Sequence, residues 1–351
     1  MMKRLFSLIL CTVLLFSFAG CAAASSGDTE VSVSEDASGS AAPAEDEAVT
    51  EKDGWHFNAR GFLVGENPGD EYLLEDEKNG SWQYASPDLA VTITRTQETV
   101  KVKAGKRTRE LYIVDIQASE TSPLFSIMTP PTKKRPAGYK KSKPIDLVKA
   151  NPVVLAVSDD YYGHRMQGRD NGSAKWPDGI IIRNGELISS KTRTNGKVEF
   201  PPLDTLAVYP DGSMRADPIG EKNADDFASE GALQVYSFGP WLIRNGEINV
   251  KGVDSSKSYM YNTAQYSDSR IAIGMIEPFH YLVVMAKGRP DNKYIGVNFD
   301  ILANRMLELG CTEALNLDGG GTACIIFNGK VIAQGDKTVR PLGSMIAFGK
   351  K

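Results

Sequence analysis

The chain has 351 residues, of which 41% are hydrophobic and 24% are charged, so we expect a globular protein rather than a disordered or polytopic membrane protein. Without the N-terminal region, roughly 300 residues remain, which suffices for one large domain or two small ones. From residue 52 onward the chain carries 38 basic and 36 acidic residues. This near-neutral body gives no support for general nucleic-acid binding, which would need a strongly basic face.

The N-terminus has the features of an export signal. Lys3 and Arg4 precede an apolar run, Leu5 to Phe18, that is too short to remain as a membrane-spanning helix and has the size of a signal-peptide core. The following Ala-Gly-Cys21 resembles a bacterial lipobox, so we expect residues 1–21 to be a lipoprotein signal, with cleavage before Cys21 and lipid attachment to it. An ordinary signal peptide with an incidental cysteine is the alternative. Under the first interpretation the mature protein is exported and anchored to the cell membrane, facing the cell exterior.

Residues 22–54 are predicted to form a disordered acidic tether. They are rich in Ala, Ser and Gly, and residues 22–51 contain eight acids and no base. Such a segment buries too little apolar surface to order itself. A coil of about 30 residues spans roughly 30 Å, so the tether would hold the domain at residues 55–351 close to its membrane anchor.

The body begins as a series of strands. From Trp82 onward, segments such as Leu89–Thr94 alternate apolar and polar residues with the period of two that is typical of strands. Asn-Gly separates apolar runs at 184–185, 245–246 and 328–329, which predicts type I′ hairpins because both residues tolerate positive φ. The tetrad Arg-Asn-Gly-Glu occurs at 183–186 and at 244–247, which fits two similar hairpins or an internal duplication.

Few helices are predicted. The clearest one begins after the N-cap Asn298, ends at Gly310 and carries one apolar stripe, so it should pack on a sheet. Shorter helices are predicted at Ile145–Ala150 and Ala224–Ser229. Many strands and few helices, without regular β-α alternation, predict an α+β fold with a mainly antiparallel or mixed β-sheet and a few packing helices.

Seven basic residues lie close together among four prolines: Lys133, Lys134, Arg135, Lys140, Lys141, Lys143 and Lys149. One interpretation is a solvated loop. The other is an approach surface for an anionic polymer, because clustered positive charge attracts such a ligand.

The segment Leu315-Asn-Leu-Asp-Gly-Gly-Gly-Thr322 is the most informative for function. Ordering a glycine costs roughly 0.5–1 kcal/mol more than ordering an alanine, so three in succession suggest that something approaches this backbone closely. Successive N–H groups can form an anion-binding nest, with Asp318 at its rim as acid, base or positioning group. A purely structural hairpin is the alternative. No Lys follows the glycines, which excludes a Walker A loop.

Two carboxylates, Asp159 and Asp160, follow the apolar strand that ends near Ser158. Neighbouring strand residues face opposite sides of a sheet, so we expect only one of the two carboxylates to enter a site. A solvated turn is the alternative. His164 is a possible further participant because it follows shortly after Asp160.

Arginines at predicted strand ends form a third group: Arg270, Arg289 and Arg340. A guanidinium group binds phosphate through two parallel hydrogen bonds, although a surface salt bridge is the alternative for each arginine. The sequence contains no GxSxG and no HExxH, so neither a serine α/β-hydrolase nor a zincin metalloprotease is indicated. Nothing in the sequence requires a cofactor. A divalent metal bound by carboxylates is an open alternative.

Taken in order, these motifs resemble those of the phosphodiester glycosidase family. The similarity runs from about Trp82 to the C-terminus, and Asn316-Leu-Asp-Gly-Gly-Gly is its most specific element. The supporting motifs are Ser237-Phe-Gly239-Pro, Arg270-Ile-Ala-Ile-Gly, Gly288-Arg289 and Arg340-Pro341. The family includes the lysosomal uncovering enzyme, which removes N-acetylglucosamine from phosphodiester-linked sugars, and many exported bacterial proteins.

The chain departs from the family pattern in four places. Ser158-Asp159-Asp160 stands where the family has Asn-Gly-Asp, and Lys287-Gly288-Arg289 stands where it has Asp-Gly-Arg. Gly321-Thr322-Ala323 replaces Gly-Ser-Ser. After Arg340-Pro341, Gly343-Ser344 takes the place of the expected Ser-Asn or Ser-Asp.

The resemblance implies cleavage of the bond between a sugar's anomeric carbon and a phosphate oxygen. Such a reaction needs donors that hold the departing phosphate and a carboxylate that aims water at an oxocarbenium-like carbon. The candidates for the carboxylate are Asp318 and Asp160. The candidates for binding phosphate or substrate are Gly319, Gly320, Gly321, Thr322, Arg270, Arg289, Asn316, Gly239 and Arg340.

We therefore expect a membrane-tethered extracellular hydrolase that acts on sugar-1-phosphodiesters in an envelope or extracellular glycan. The alternative is a surface lipoprotein that has lost part of the catalytic site and binds a phosphorylated glycan without cleaving it. The expected partners are the glycan and, through the lipid on Cys21, the membrane.

Overall fold

A computed structural model of the chain describes residues 49–103, 105–133, 137–160, 179–191, 194–195, 198–199, 203–249, 266–288 and 293–350. The predicted signal and most of the predicted tether lie outside these residues, as do Cys21, His164 and Arg289. None of the helices in the described part of the chain is long and apolar enough to cross a membrane.

The described chain is mainly β-structure, which confirms the predicted α+β class. Its first twelve strands are β1 (Thr50–Lys52), β2 (Trp55–Phe57), β3 (Tyr72–Asp76), β4 (Ser81–Ala85), β5 (Ala90–Val102), β6 (Gly105–Gln117), β7 (Phe125–Met128), β8 (Val153–Ser158), β9 (Gly179–Arg183), β10 (Glu186–Lys191), β11 (Thr194–Asn195) and β12 (Val198–Glu199). The others are β13 (Asp204–Val208), β14 (Met214–Asp217), β15 (Gln234–Phe238), β16 (Trp241–Arg244), β17 (Glu247–Ile248), β18 (Arg270–Glu277), β19 (His280–Lys287), β20 (Glu313–Asn316), β21 (Cys324–Phe327), β22 (Lys330–Gln334) and β23 (Ser344–Lys350). The helices are α1 (Pro144–Ala150), α2 (Ala224–Ser229) and α3 (Phe299–Glu308).

Three large antiparallel sheets form the fold. The largest has nine strands in the order β17-β16-β20-β18-β19-β6-β5-β4-β3. The other two have five strands each, in the orders β22-β21-β8-β23-β7 and β10-β9-β15-β13-β14. The small hairpin β1–β2 begins within the range predicted as a tether, so part of that range is ordered.

The alternation of side chains in the nine-stranded sheet divides the core in two. Ile271 and Val283 belong to a large apolar cluster that includes residues of both five-stranded sheets. Their neighbours Ala272 and Val284 belong to a second cluster with helix α3. Strand β8 is buried along its whole length, which explains its continuous apolar run without alternation.

Local signals predicted the three helices correctly. The side chain of Asn298 accepts a hydrogen bond from the N–H of Ile301 at 3.0 Å and so caps α3. Gly310, with φ of 94°, follows the end of that helix. Helix α2 occupies its predicted residues behind a reciprocal capping box of Asn223 and Asp226. Proline at the first position starts α1 one residue before its predicted beginning.

The three Asn-Gly turns are type I′, as predicted. The φ values of their asparagines are 53° at Asn184, 51° at Asn245 and 47° at Asn328, and each following glycine also has positive φ. This backbone twist matches the right-handed twist of the flanking strands. The hairpins β9–β10, β16–β17 and β21–β22 therefore follow from short sequence patterns.

Several strand ends meet at one edge of the packed sheets. Asp318, just after β20, donates its N–H to the carbonyl of Asp159, just after β8, at 3.2 Å. Gly239, just after β15, donates its N–H to the carbonyl of Asn316 at 3.1 Å. The start of β18 lies beside the end of β20, and the start of β23 lies beside the end of β8. We call this edge the rim.

We predict that Gly274→Ala destabilises the fold. Gly274 pairs with Ala314 in the ladder between β18 and β20, and a Cβ atom there would lie 2.4 Å from the carbonyl oxygen of Glu313. We expect a loss of about 1–3 kcal/mol in unfolding free energy, measured by urea denaturation, because two paired strands must separate.

Gly69→Ala is the control for this prediction. A Cβ atom at Gly69 would meet only the ring of Trp55, at 3.5 Å, which is an ordinary contact. We expect its unfolding free energy to change by less than about 1 kcal/mol. Equal losses in both variants would contradict the explanation from close strand approach.

Candidate active site

A buried arginine joins the two carboxylates that follow β8. The guanidinium of Arg183, at the end of β9, contacts an oxygen of Asp160 and lies 3.6 Å from Oδ2 of Asp159. Its plane covers the ring of Tyr236, with 4.3 Å between the guanidinium carbon and the ring centroid. Burial alone would lower the pKa of Arg183, but the charges of Asp160 and Asp159 outweigh it and raise that pKa. The guanidinium therefore stays charged inside the protein.

The remaining contacts of these carboxylates hold further strands. Oδ2 of Asp160 accepts a hydrogen bond from the N–H of Ser237 at 2.6 Å. The hydroxyl of Ser344, at the start of β23, donates to Asp159. Both carboxylates thus face the same guanidinium, so they do not point to opposite sides as the alternation of a strand predicts. The reason is that β8 ends at Ser158, so the alternation of a strand does not extend to the two carboxylates.

Asp318 and Arg270 lie side by side at the rim. Ala272 pairs with Asn316, and continuing this antiparallel register by two residues places Arg270 across from Asp318. Asp318 is 9% exposed and Arg270 is 8% exposed, whereas Asp160 is 1% exposed. The guanidinium of Arg270 lies over the ring of Phe299, 4.2 Å from its centroid. The backbone register therefore places an acidic and a basic residue at neighbouring positions of the rim, and both are less completely buried than Asp160.

In the glycine loop, which we define as residues 319–322, a separate steric constraint requires glycine at each of the three glycine positions. A Cβ atom at Gly319 would lie 2.6 Å from the carbonyl oxygen of Ser269, and one at Gly321 would lie 2.8 Å from Nε of Arg340. Gly320 has φ of 61°, which favours glycine. The close approach that the sequence predicted is made by segments of the chain itself.

The hydrogen bonds of this loop limit the predicted anion nest. The N–H of Gly320 donates to the carbonyl of Ser269 at 2.9 Å, so it is used within the protein. The hydroxyl of Thr322 likewise donates to the carbonyl of Gly319 at 2.7 Å. These two donors hold the loop to itself and to Ser269, just before β18, and the binding of phosphate by Gly320 and Thr322 stays a prediction.

Asn316 connects the rim to the turn after β15. Its side-chain N–H donates to the carbonyl of Gly239 at 2.8 Å. Within the described residues, its buried Oδ1 has no hydrogen-bond partner. The turn is also held by Asp204, which accepts hydrogen bonds from the N–H groups of Trp241 and Ile219. Burial raises the pKa of Asp204 despite these two hydrogen bonds.

The lysine that departs from the family pattern has an acidic partner. Nζ of Lys287 lies 3.4 Å from Oε1 of Glu110, which is buried on the neighbouring strand β6. The same ammonium group lies 4.6 Å from the ring centroid of Tyr294. The site therefore contains a neutralised pair at this position rather than an isolated positive charge.

The structure brings most of the predicted site residues to the rim. Those found there are Asp318, Gly319, Gly320, Gly321, Thr322, Arg270, Asn316, Gly239 and Arg340. Asp160 lies beneath them in the ion pair with Arg183. Sequence reasoning missed Arg183 and Glu110. A charged residue after three consecutive isoleucines was the available signal for Arg183.

Within the described ranges, no group of three or more His, Cys, Asp or Glu side chains is arranged to hold a metal ion.

Sequence comparisons identify relatives of the chain. The profile of the family described as phosphodiester glycosidase matches residues 151–349. Human N-acetylglucosamine-1-phosphodiester alpha-N-acetylglucosaminidase is 28% identical over 152 residues, which cover 41% of this chain and 29% of the human protein. The SPbeta prophage-derived uncharacterized protein YomE of Bacillus subtilis strain 168 is 24% identical over 164 residues, which cover 47% of this chain and 23% of that protein. The chain thus spans less than a third of these relatives' own length.

Structural comparisons show where the fold recurs. The zebrafish N-acetylglucosamine-1-phosphodiester alpha-N-acetylglucosaminidase catalytic domain, auto-inhibited by its pro-peptide, has a TM-score of 0.58 at 16% identity. The likeness covers 81% of this chain and 90% of the zebrafish chain. A hypothetical protein from Synechocystis has a TM-score of 0.50 at 14% identity, covering 76% of this chain and 63% of that one. At these identities the likeness concerns the fold alone.

We predict that Arg183→Met strongly destabilises the protein. The substitution leaves two buried carboxylates without their counter-ion, which typically costs about 3–5 kcal/mol. Urea denaturation of the purified protein measures this loss.

The second Arg-Asn-Gly-Glu tetrad provides the matched control. The side chain of Arg244 is 25% exposed and pairs with Glu221, while the neighbouring Asp217 keeps Arg215 as a partner at 3.1 Å. Arg244→Met should cost about 1 kcal/mol or less, as is usual for exposed ion pairs. If both variants lost the same stability, the buried ion pair would not have the importance assigned to it.

Proposed function

The chain belongs to the phosphodiester glycosidase family, and from this premise we propose that it hydrolyses the glycosidic bond of a sugar-1-phosphodiester in an envelope or extracellular glycan. The family match supports a glycosidase that acts on phosphodiester-linked sugars. The human relative, whose name specifies N-acetylglucosamine-1-phosphodiesters, supports the choice of bond.

One observation carries the assignment of roles: Asp160 is 1% exposed and committed to a buried ion pair, whereas Asp318, although also largely buried, is 9% exposed and directly precedes the half-buried Gly319 and Gly320. A carboxylate that activates water must be accessible to that water. Both oxygens of Asp160 already contact Arg183 and Ser237. Asp318 is therefore the better candidate for the base, and Asp160 for a residue that holds the rim in place.

The proposed reaction follows from the chemistry of the leaving group. Asp318 takes a proton from a water molecule as the water oxygen bonds to the anomeric carbon. The bond from that carbon to the phosphate oxygen breaks, and its electrons leave with the phosphate monoester. Because the second pKa of such a monoester is about 6, the leaving group needs no proton at neutral pH. The guanidinium groups of Arg270 and Arg340 would stabilise the charge that develops on it.

A phosphorylated-glycan-binding protein without turnover is the second candidate. The observation in its favour is the ion pair of Asp160 with Arg183, because it makes unavailable for catalysis a carboxylate that matches the family pattern. Many glycosidases need two carboxylates at the scissile bond. The two candidates differ in whether wild-type protein releases sugar from a substrate that it binds.

We predict that Asp318→Asn lowers sugar release by about 10²–10⁴-fold, as expected for the loss of a general base. The assay measures free sugar from an N-acetylglucosamine-1-phosphodiester, over several pH values and with and without divalent metal. Asp70→Asn is the control, because Asp70 is exposed in a loop between β2 and β3. Unchanged turnover in Asp318→Asn would remove Asp318 from the mechanism. Binding without turnover by the wild type would favour the second candidate.

We also propose that lipid on Cys21 tethers the domain outside the cell membrane, because Phe-Ala-Gly-Cys21 resembles a lipobox. Expressed in a bacterium that processes lipoproteins, the wild type should carry fatty-acid label and enter the membrane fraction. Cys21→Ser should lose both properties. Cys11→Ser, within the apolar run, is the matched control and should keep both. Retention of the label by Cys21→Ser would refute the proposal.

A further inference from the structure

The basic cluster concentrates positive charge in a body that is otherwise slightly acidic. Residues 133–149 contain seven basic residues and one acid, Asp146. The rest of the chain from residue 52 onward contains 31 basic and 35 acidic residues. We call the described lysines of the cluster the basic strip: Lys133, Lys140, Lys141, Lys143 and Lys149. Positive potential is therefore confined largely to one segment.

Backbone hydrogen bonds attach this strip to the rim. The backbones of Ser142 and Leu342 exchange two hydrogen bonds, each of 2.8 Å. Ser142 lies between Lys141 and Lys143, and Leu342 lies two residues before the start of β23. Two residues before Leu342, Arg340 donates its N–H to the carbonyl of Gly321 at 2.8 Å. The segment that pairs with Ser142 in the strip therefore also contacts the glycine loop, two residues earlier in the chain.

Arg340 connects the two regions electrostatically. It is exposed, and its Nε lies 2.8 Å from where a Cβ atom of Gly321 would be, so its side chain passes over the glycine loop. Lys140 and Lys143 are also exposed. An anion bound at the rim would therefore have a run of cationic side chains continuing to one side of it.

Two further observations separate this strip from an ordinary loop and from a membrane-binding surface. Within the described residues, Lys133, Lys140, Lys143 and Lys149 make no ion pair, so no described residue neutralises their charges. None of the exposed large hydrophobic side chains of the described chain lies between residues 129 and 150. Surfaces that insert into a membrane interface combine basic residues with such side chains.

We propose that the basic strip binds further phosphates of the substrate, so that the substrate is a glycan polymer with recurring phosphodiester groups rather than a single sugar phosphodiester. This inference rests on the proposed function, because it extends the same site. One phosphodiester lies at the rim beside Arg270, and neighbouring phosphates of the same polymer lie along Arg340, Lys140 and Lys143.

The test compares two synthetic substrates with the full-length protein: N-acetylglucosamine-1-phosphodiesters with one and with six phosphodiester units. We expect KM for the six-unit substrate to be about tenfold lower, and to rise more steeply as salt increases from about 50 to 200 mM, because several charge contacts are screened together. The double variant Lys140→Gln/Lys143→Gln should lose most of this advantage. Its KM and kcat for the one-unit substrate should stay within twofold of the wild type.

The matched control is Lys52→Gln/Lys78→Gln. It removes two charges that, like those of Lys140 and Lys143, have no ion pair within the described residues, at exposed positions on β1 and in the β3–β4 turn. This control should keep the full length dependence. A general effect of net charge would alter both double variants alike and would overturn the inference.

The outcomes distinguish this inference from the proposed function. Equal KM values for the two substrates, or an unchanged length dependence in Lys140→Gln/Lys143→Gln, would overturn the polymer subsite and leave hydrolysis standing. If neither substrate is cleaved, fluorescence polarisation of a labelled six-unit ligand still decides. If the wild type binds this ligand and the double variant does not, the basic strip is supported although the proposed hydrolysis is not. If both proteins bind it equally, the proposal for the strip is overturned. Loss of binding to anionic phospholipid vesicles alone would assign the strip to a lipid surface instead.

Discussion

The site depends on a buried charge cluster in which Arg183 compensates Asp159 and Asp160. Two carboxylates inside a protein require a counter-ion and hydrogen-bond donors, because burial removes the water that would otherwise solvate them. Arg183 supplies the charge from β9, while Ser237 and Ser344 supply donors from β15 and β23. The cluster therefore connects the two five-stranded sheets. It also fixes Asp159, whose carbonyl accepts the N–H of Asp318, so the position of the proposed base depends on charges that do not touch the substrate.

The glycine loop makes the rim compact. The backbone of Ser269 and the side chain of Arg340 approach the loop too closely for a Cβ atom at Gly319 or Gly321. Gly335 adds a further close approach, because a Cβ atom there would lie 2.1 Å from the carbonyl oxygen of Gly320. The functional side chains are thus carried at the ends of packed strands rather than on a long loop. Such rigid support suits a reaction that depends on holding a phosphate and a water molecule in fixed positions. The same packing brings the basic strip beside the rim through the exchange of hydrogen bonds between Ser142 and Leu342.

Much of the fold was predictable because its signals are local. The Asn-Gly turns have positive φ at both positions, and the helix after Asn298 begins with a side-chain cap. Both features were predictable because each depends on residues within a few positions of each other. The partners within the site were not predictable in this way. The two Arg-Asn-Gly-Glu tetrads read alike, yet Arg183 is buried in an ion pair and Arg244 lies near the surface. Their environments differ because different parts of the chain pack against them.

The sequence by itself determined the class of fold, the family resemblance and the presence of Asp318 and Arg270 at strand ends, because each of these follows from short motifs and their order. Only the tertiary structure decided which carboxylates are neutralised. Asp160 and Arg183 are 23 residues apart in the chain, and Asp159 and Ser344 are 185 apart. Contacts over such distances are set by how whole sheets pack, and side-chain burial and charge compensation follow from that packing. The acidic residues of this chain look equivalent in the sequence, and the packing gives them different chemistry.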